Sequence, residues 1–360
     1  MKPTIKNIQP YVAEAPVQAI QQAYHLDHIA RLSANENVYG ASPKVYEALQ
    51  QLNQDVLNYY PDGNANDLRQ ALSQLTGIAA EKFLFGNGAD ELISLISRVF
   101  LTSDSNIVIQ APTFGAYRTE ANIEGAEVRA IPVFEQNGHT DFSGMLDAID
   151  EKTSLVWLVN PNNPTGVFEP VTDIENFLNQ LPPDVVLVVD EAYYDFVNNQ
   201  KATALPLLAT HDNLIVVRTL SKAYGLANLR IGWLATNEAI HRDINAIRAP
   251  YNLSSYQIAG GVAAIEDQDY LQKVVAGIQD ERTKWLAVLD SLNVPYYVSD
   301  TNFLWFKVAD AKRLGEQLLS QGVQVNSRLN PQWIRIAIGL PEDNLLAQKI
   351  TSKYIHTAAQ

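Results

Sequence analysis

The residues with the clearest chemical potential lie between Leu214 and Gly232, in the stretch LIVVRTLSKAYGLANLRIG. Lys222 occupies a short polar turn beside Thr219 and Ser221, between two apolar runs, and Arg230 follows it in the chain. The apolar runs predict buried strands, and a lysine between buried strands is easily desolvated. Desolvation favours the neutral, nucleophilic amine that Schiff-base chemistry requires. The two hydroxyls and the arginine suit a phosphate dianion.

A lysine beside a phosphate cup indicates pyridoxal phosphate as the cofactor. The alternative is an ordinary loop lysine in an α/β domain, and this segment alone leaves both interpretations open.

Three further polar motifs follow predicted strands. Ala89 and Asp90, in NGADE, open a helix whose free N–H groups could bind an anion, although acidic residues also simply favour a helix start. Asn160–Gly166, reading NPNNPTG, predicts a rigid turn that either only turns the chain or presents an asparagine to a ligand. Asp190, in DEAY, could keep a heterocyclic nitrogen protonated or merely end its strand.

Short apolar runs alternate with helical patterns, which indicates an α/β fold with a mostly parallel seven-stranded sheet. The predicted strands are Phe83–Phe85, Asn106–Gln110, Glu127–Pro132, Ser154–Val159, Val185–Val189, Leu214–Arg218 and Ile231–Ala235. The predicted helices are Pro43–Gln51, Ala65–Thr76, Ala89–Leu101, Phe114–Glu124 and Val171–Asn179. Ser42 and Pro43 form a good helix start, because serine caps a helix and proline tolerates its first turn.

The last third of the chain predicts a smaller α+β domain. A long helix over Tyr270–Leu292 precedes short strands at Phe303–Val308, Val323–Asn326 and Trp333–Ile338. We expect residues 36–265 to form the large domain. Residues 1–35 and 266–360 would form the small one, with the long helix as the hinge.

The composition of the chain excludes or disfavours several classes of function and of site. The chain has 360 residues, is 47% hydrophobic and carries a formal net charge of -14, which disfavours binding to nucleic acid or anionic membranes. It has no cysteine, so disulfides and thiolate sites are excluded. No apolar run approaches the roughly 18 residues of a membrane span, and the N-terminal residues lack the apolar core of a secretory signal. We therefore expect a cytoplasmic protein, and the spacing of its histidines predicts no metal site.

The motifs NPNNPTG, DEAY, TLSKAYGLANLRIG and WIRIAIG, in this order, resemble the fold-type I pyridoxal-phosphate aminotransferases. Within that superfamily the chain is most similar to the histidinol-phosphate aminotransferase family. SANENVYG, YPDG, GNGADE, APTFGAY and RAPYNLSSYQIA carry this closer resemblance. It implies a large pyridoxal-phosphate-binding domain, a small α+β domain, and amino transfer between histidinol phosphate and 2-oxoglutarate in histidine biosynthesis.

The resemblance also implies roles for individual residues. Lys222 would bind the cofactor covalently and move the proton, and Asp190 would pair with the pyridine nitrogen. Asn163 and Tyr193 would bind the ring oxygen, and Phe114 would stack on the ring. The phosphate would be bound by the following set: Ala89, Asp90, Thr219, Ser221 and Arg230.

The substrate and the partner subunit are expected to contact a further set of residues. Arg335 would bind a substrate carboxylate, and Tyr11 would lie near the distal end of the substrate. Tyr60 would reach the cofactor phosphate of the other subunit, which implies a homodimer.

The sequence departs from this family at one position. Relatives usually carry an arginine for the substrate phosphate directly after GV-x-V, where this chain has Asn326, and an arginine appears only at Arg328. Either Arg328 binds the substrate phosphate from a shifted register, or recognition of the phosphate is lost. The following loop, Ser327 to Gln332, is short. An aromatic amino-acid aminotransferase and a lyase that decarboxylates threonine phosphate therefore stay open as alternatives. An effector-binding module of a transcription regulator is disfavoured by the acidic charge.

Overall fold

Eleven strands form two sheets in the computed structural model, which describes residues 3–8, 14–198 and 202–358. In chain order they are β1 (Ala30–Leu32), β2 (Phe83–Asn87), β3 (Asn106–Ala111), β4 (Glu127–Pro132), β5 (Thr153–Val159), β6 (Val186–Asp190), β7 (Leu214–Thr219), β8 (Ile231–Thr236), β9 (Phe303–Lys307), β10 (Val323–Asn330) and β11 (Trp333–Ala337).

Helices occupy most of the connections between these strands. They are α1 (Val17–Tyr24), α2 (Pro43–Gln50), α3 (Asn66–Thr76), α4 (Ala89–Phe100), α5 (Ala116–Glu124), α6 (Phe142–Asp147), α7 (Val171–Leu178), α8 (Glu238–Ile247), α9 (Ser255–Ile265), α10 (Gln268–Ser291), α11 (Ala311–Ser320) and α12 (Pro341–Ala358). The predicted start of α2 is confirmed, because the side chain of Ser42 accepts a hydrogen bond from the backbone N–H of Lys44 and Pro43 is the first helical residue.

The larger sheet is mostly parallel, as the sequence predicts. Its order is β2-β8-β7-β6-β5-β3-β4, and among these described strands only β8 runs against its neighbours. Along β7, Leu214 and Val216 join one apolar cluster, whereas Ile215 and Val217 join another. Because successive side chains of a strand point to opposite faces, both faces of the sheet are covered. This burial explains why its strands appear as continuous apolar runs in the sequence.

The ends of the central strands meet at one edge of this sheet. Val159, at the end of β5, pairs with Asp190, the last residue of β6, and Asp190 pairs with Val217 of β7. Because β8 runs in the opposite direction, it begins at this edge, where Gly232 pairs with Thr219. Ligands of open α/β sheets bind at the carboxyl ends of the strands. The pairing therefore brings together the polar residues that follow each strand.

The smaller sheet has the order β1-β10-β11-β9, with β1 parallel to β10 and the other pairs antiparallel. Its strands come from residues 30–32 and 303–337, whereas every strand of the larger sheet lies between residues 83 and 236. The domain limits of 36–265 for the large domain, and of 1–35 with 266–360 for the small one, stay a prediction.

Most predicted boundaries lie within two residues of the observed ones, and two differences affect residues of the candidate site. Helix α5 begins at Ala116 rather than Phe114, because Gly115 is its N-cap. Strand β10 continues to Asn330, although the sequence predicts its end at Asn326 and a loop from Ser327 to Gln332. Asn326 lies opposite Arg335, and Asn330 lies opposite Trp333. An advance of four residues along β10 therefore corresponds to an advance of only two along β11. The bulge that takes up the difference has no signal in the apolar pattern.

None of the helices in the described part of the chain is long and apolar enough to cross a membrane.

Candidate active site

Lys222 lies in the turn between β7 and β8, at the edge where the central strands end. Its Nζ donates a hydrogen bond to the carbonyl oxygen of Ala34 at 3.0 Å, and the side chain is half-buried. Gly225 follows with φ +70, and a Cβ there would lie 2.5 Å from the carbonyl oxygen of Gly40. Glycine is therefore required for the turn to pack against this neighbouring segment. The lysine is held between the large sheet and the segment that follows β1.

The residues predicted to bind phosphate surround the start of α4. Thr219 donates to the hydroxyl of Ser221 at 2.9 Å, and the guanidinium of Arg230 binds the carboxylate of Asp90 at 2.9 Å. No side chain caps the N-terminus of α4, so the first backbone N–H groups, beginning with Ala89, remain donors for an anion. The structure brings all five of these residues together.

Glycine at position 88 allows Arg230 to lie directly against the start of α4. It has φ +80, and a Cβ added there would lie 2.2 Å from Nη2 of Arg230. A Cβ on Gly232 would likewise lie 2.5 Å from the backbone nitrogen of Ala89. A larger side chain would displace Arg230 at position 88 and would collide with the backbone at the start of α4 at position 232. The structure therefore forms a concave cluster of donors suited to a phosphate group.

Asp190 ends β6 and is 4% exposed. Its Oδ2 accepts a hydrogen bond from the hydroxyl of Tyr117 at 2.7 Å, and its Oδ1 accepts one from the backbone N–H of Ala192 at 3.0 Å. Burial raises the pKa of this carboxyl to about 6, and the two hydrogen bonds oppose the rise. A cation placed against the carboxylate would relieve the cost of burying its charge.

Two hydrogen-bonded pairs join the large sheet to the small one. The hydroxyl of Tyr193 accepts a bond from Nδ2 of Asn35 at 2.9 Å, so the tyrosine keeps its own proton for donation. Oδ1 of Asn163 accepts a bond from Nη1 of Arg335 at 2.6 Å, and Nη2 of Arg335 binds the carbonyl oxygen of Ser33 at 2.6 Å. With its oxygen engaged, Asn163 offers its Nδ2 group as a donor.

A buried ion pair supports the strand ends beneath these groups. Arg218 binds Glu191 at 2.8 Å, and both side chains are almost fully enclosed. Glu191 also accepts bonds from the hydroxyl of Thr203 and the backbone N–H of Ala204. Because Glu191 directly follows Asp190 and Arg218 directly precedes Thr219, the pair fixes the ends of β6 and β7 relative to each other.

Among the four remaining predicted site residues, Phe114 borders this group through Tyr117, Tyr60 and Arg328 are exposed, and Tyr11 cannot be placed. Tyr60 is 82% exposed and stacks on Tyr251, with ring centroids 4.7 Å apart. Phe114 is 39% exposed, and its ring meets that of Tyr117 edge-on at 5.8 Å. Arg328 is exposed on the bulge of β10. Tyr11 lies outside the described residues, and the described part of the chain holds no cluster of residues that could bind a metal.

Two residues of the site were missed in the sequence. Tyr117 lies within the motif APTFGAY, in a predicted helix, but its contact with Asp190 crosses between α5 and β6, and no spacing rule gives it. Asn35 lies in the motif SANENVYG, which carried part of the resemblance to a family but predicted no role for Asn35 itself. In both cases the partner is distant in sequence, at 73 and 158 residues.

The chain was compared with known proteins. The model of the family described as aminotransferase class I and II matches residues 27–347. A histidinol-phosphate aminotransferase of Leuconostoc mesenteroides is 54% identical over 344 residues, which cover 96% of each chain. One of Limosilactobacillus fermentum is 45% identical over the full length of both. The chain belongs to the class I and II aminotransferases and, within them, to the histidinol-phosphate aminotransferase family.

A solved structure supports the same fold for this aminotransferase. The histidinol-phosphate aminotransferase of Sinorhizobium meliloti, in complex with pyridoxal-5'-phosphate, superimposes with a TM-score of 0.89 and 27% identity. The alignment covers 99% of this chain and 98% of the other. The predicted fold-type I architecture, with its α/β large sheet and smaller second sheet, is confirmed.

We predict that Asp190 makes the stability of this aminotransferase, stripped of bound ligands, fall as the pH rises. An unfolded aspartate titrates near 3.8 and Asp190 at about 6 in the folded chain, so the folded state binds the extra proton between these values. The stabilisation is complete below the lower pKa and is lost as the pH rises through the higher one. Between about pH 5 and about pH 7.5, the free energy of unfolding should therefore fall by about 1.4 kcal/mol.

The Asp190→Asn variant should lack this component. Urea unfolding of both proteins at the two pH values, at one protein concentration, measures it as the difference between the two pH dependences. An identical pH dependence in the wild type and the variant would show that Asp190 does not titrate in this range.

Proposed function

We propose that this protein transfers an amino group from histidinol phosphate to 2-oxoglutarate, with pyridoxal phosphate as cofactor, in histidine biosynthesis. The observation that carries the proposal is the 54% identity, over 96% of both chains, to a protein named histidinol-phosphate aminotransferase. A cytoplasmic location is part of the proposal and rests on the ordinary globular composition of the chain.

The residues present fit pyridoxal phosphate. Asp190 is a buried carboxyl group, and a cation beside it would stabilise its ionised form. The protonated ring nitrogen of the cofactor is such a cation. The start of α4 offers backbone donors, and glycine at position 88 lets the guanidinium of Arg230 lie against it, which together suit a phosphate dianion. Lys222 lies at the same edge of the sheet, as the amine that bonds to the aldehyde carbon must.

When bound, pyridoxal phosphate supplies an electron-accepting ring that stabilises negative charge at the substrate carbon. The chain supplies the remaining functions. The carboxylate of Asp190 keeps the ring nitrogen protonated, and Asn163 and Tyr193 donate hydrogen bonds to the ring oxygen. Nζ of Lys222 takes the proton from the substrate carbon and returns it, as a general base and acid.

Arg335 is proposed to bind the carboxylate of the oxo acid. Arg335 is 7% exposed, and its guanidinium is already oriented by Asn163 and Ser33. A planar guanidinium binds a carboxylate through two parallel hydrogen bonds, and a fixed orientation reduces the entropy lost on binding. Because Asn163 also contacts the proposed ring oxygen site, the oxo acid would bind next to the cofactor.

Lys222 is predicted to carry the covalent bond to the cofactor. Borohydride reduction of the loaded protein, followed by peptide mass spectrometry, should place the label on Lys222. The Lys222→Ala variant should fold and lose both the label and nearly all turnover. Lys82→Ala serves as the matched control, because Lys82 binds Asn237 and precedes the start of β2, at the opposite edge of the sheet. A label on any other lysine of the wild type would contradict this role.

Recognition of the substrate phosphate is proposed to involve Arg328. Asn326 lies opposite Arg335 on neighbouring strands, so residues of this part of β10 border the proposed carboxylate site. Arg328 is exposed on the bulge two residues further on. A phosphate monoester carries nearly two negative charges at neutral pH and is bound well by arginine. Tyr11 is proposed to lie near the same end of the substrate.

The wild type should therefore use histidinol phosphate with a higher kcat/KM than phenylalanine. Arg328→Ala should raise the KM for histidinol phosphate by about tenfold to a hundredfold, the loss expected for one charged hydrogen bond, and should leave phenylalanine nearly unchanged. Arg313→Ala, an exposed arginine of α11, is the control for the change in net charge. A wild type that prefers phenylalanine or tyrosine would instead be an aromatic aminotransferase.

The same assay separates amino transfer from decarboxylation. An aminotransferase produces glutamate from 2-oxoglutarate, whereas a lyase acting on threonine phosphate releases carbon dioxide without using the oxo acid.

A homodimer with shared sites is also proposed. Tyr60 and its neighbours Leu57 and Tyr59 are each more than 70% exposed, and Tyr60 stacks on the exposed Tyr251. An exposed apolar patch of this kind is typical of a protein interface. Tyr60 would reach the cofactor phosphate of the other subunit, which places it at a distance from its own Lys222.

Mixing two inactive variants tests this arrangement. In a dimer of one Tyr60→Ala chain and one Lys222→Ala chain, one site would carry both changes and the other neither. Random subunit exchange at equal amounts should therefore restore about one quarter of wild-type activity. Exchange is verified by native mass spectrometry. No recovered activity after complete exchange would show that each site uses residues of a single chain.

A further inference from the structure

Tyr117 has no role in the function proposed above, yet it contacts Asp190, a buried acid of the site. It is 1% exposed, and its hydroxyl lies 2.7 Å from Oδ2 of Asp190. The tyrosine belongs to α5 and the aspartate ends β6, so the bond links two separate elements.

Aromatic packing fixes the ring of Tyr117. It stacks on Trp157, with centroids 4.5 Å apart and planes at 23°, and the ring of Phe114 meets it edge-on. Trp157 is itself 1% exposed and pairs with Val188 of β6, two residues before Asp190. Because the ring cannot swing without disturbing this stack, the hydroxyl stays in reach of the carboxylate.

The direction of the hydrogen bond is also fixed. Burial, and next the charge of Asp190, raise the pKa of Tyr117 well above its usual value, so the hydroxyl keeps its proton and acts as the donor. The backbone N–H of Ala192 donates to the other carboxylate oxygen. One donor on each oxygen fixes the plane of the carboxylate, and each oxygen retains capacity for another partner.

We propose that Tyr117 is a positioning residue for the cofactor, because its hydroxyl fixes the carboxylate of Asp190 for ion pairing with the protonated ring nitrogen. This inference rests on the proposed function. It predicts that removing the hydroxyl weakens the interaction with the ring nitrogen specifically. A tyrosine that only fills the core would instead affect every ligand of the site equally.

The test compares two ligands of the Tyr117→Phe variant, which keeps the ring and its stacking. One is pyridoxal phosphate. The other is its 1-deaza analogue, in which carbon replaces the ring nitrogen. Both are titrated into protein stripped of cofactor, and binding is followed by absorbance. The dissociation constant for pyridoxal phosphate should rise by about tenfold, whereas that of the analogue should change by less than about twofold.

Two further variants complete the design. Tyr354→Phe is the matched control, because Tyr354 is a buried tyrosine whose hydroxyl binds the backbone oxygen of Asp310, in the part of the chain with the small sheet. It should change neither constant. In the Asp190→Asn background, Tyr117→Phe should add no further loss for pyridoxal phosphate, since the acid through which it acts is gone.

Equal losses for both ligands, or no loss for pyridoxal phosphate, would overturn the positioning role and leave the proposed function intact. A wild type that bound neither ligand would overturn the proposed function and this inference together.

Discussion

The buried carboxylate of Asp190 imposes the constraint around which the active site is arranged. At 4% exposure an ionised carboxylate has lost its hydration, and the protein must replace water with other donors. Tyr117 and the backbone of Ala192 supply two, and the pKa still rises to about 6. A bound cation would remove that residual cost. A positively charged ring in the site would offset the cost of burying the charge of Asp190. The buried carboxylate therefore favours a cationic ligand over a neutral one.

The two sheets meet at the site through a few polar contacts. Ser33, Ala34 and Asn35, directly after β1, bind Arg335, Lys222 and Tyr193 in that order. One short segment thus contacts the proposed carboxylate site, the proposed covalent site and a proposed ring-oxygen donor. Because these bonds share a backbone, a displacement of Arg335 that moved Ser33 would also alter the surroundings of Lys222.

The sequence predicts most of the large sheet and less of the site. Every strand of that sheet was predicted because burial on both faces produces unbroken apolar runs such as Leu214–Arg218. Asp190 was predicted because it directly follows such a run, and Lys222 because it lies in the short turn between two of them. Tyr117 and Asn35 were not, because their roles depend on partners that only the fold brings near. The continuation of β10 past Asn326 was missed for a related reason, since a bulge adds residues that break the alternation of side chains.

The bulge also bears on how the site could bind a phosphate. Asn326 lies opposite Arg335, so both side chains lie on the same face of the small sheet. Gln324, two residues earlier, lies on that face as well, and it binds the carboxylate of Glu14, which also accepts a bond from Ser33. A phosphate at position 326 would therefore approach a carboxylate, and the two would repel each other. Arg328 lies four residues from Gln324 rather than two, on the bulged part of β10. An arginine at this position is therefore farther along the chain from the residue that binds Glu14 than an arginine at position 326 would be.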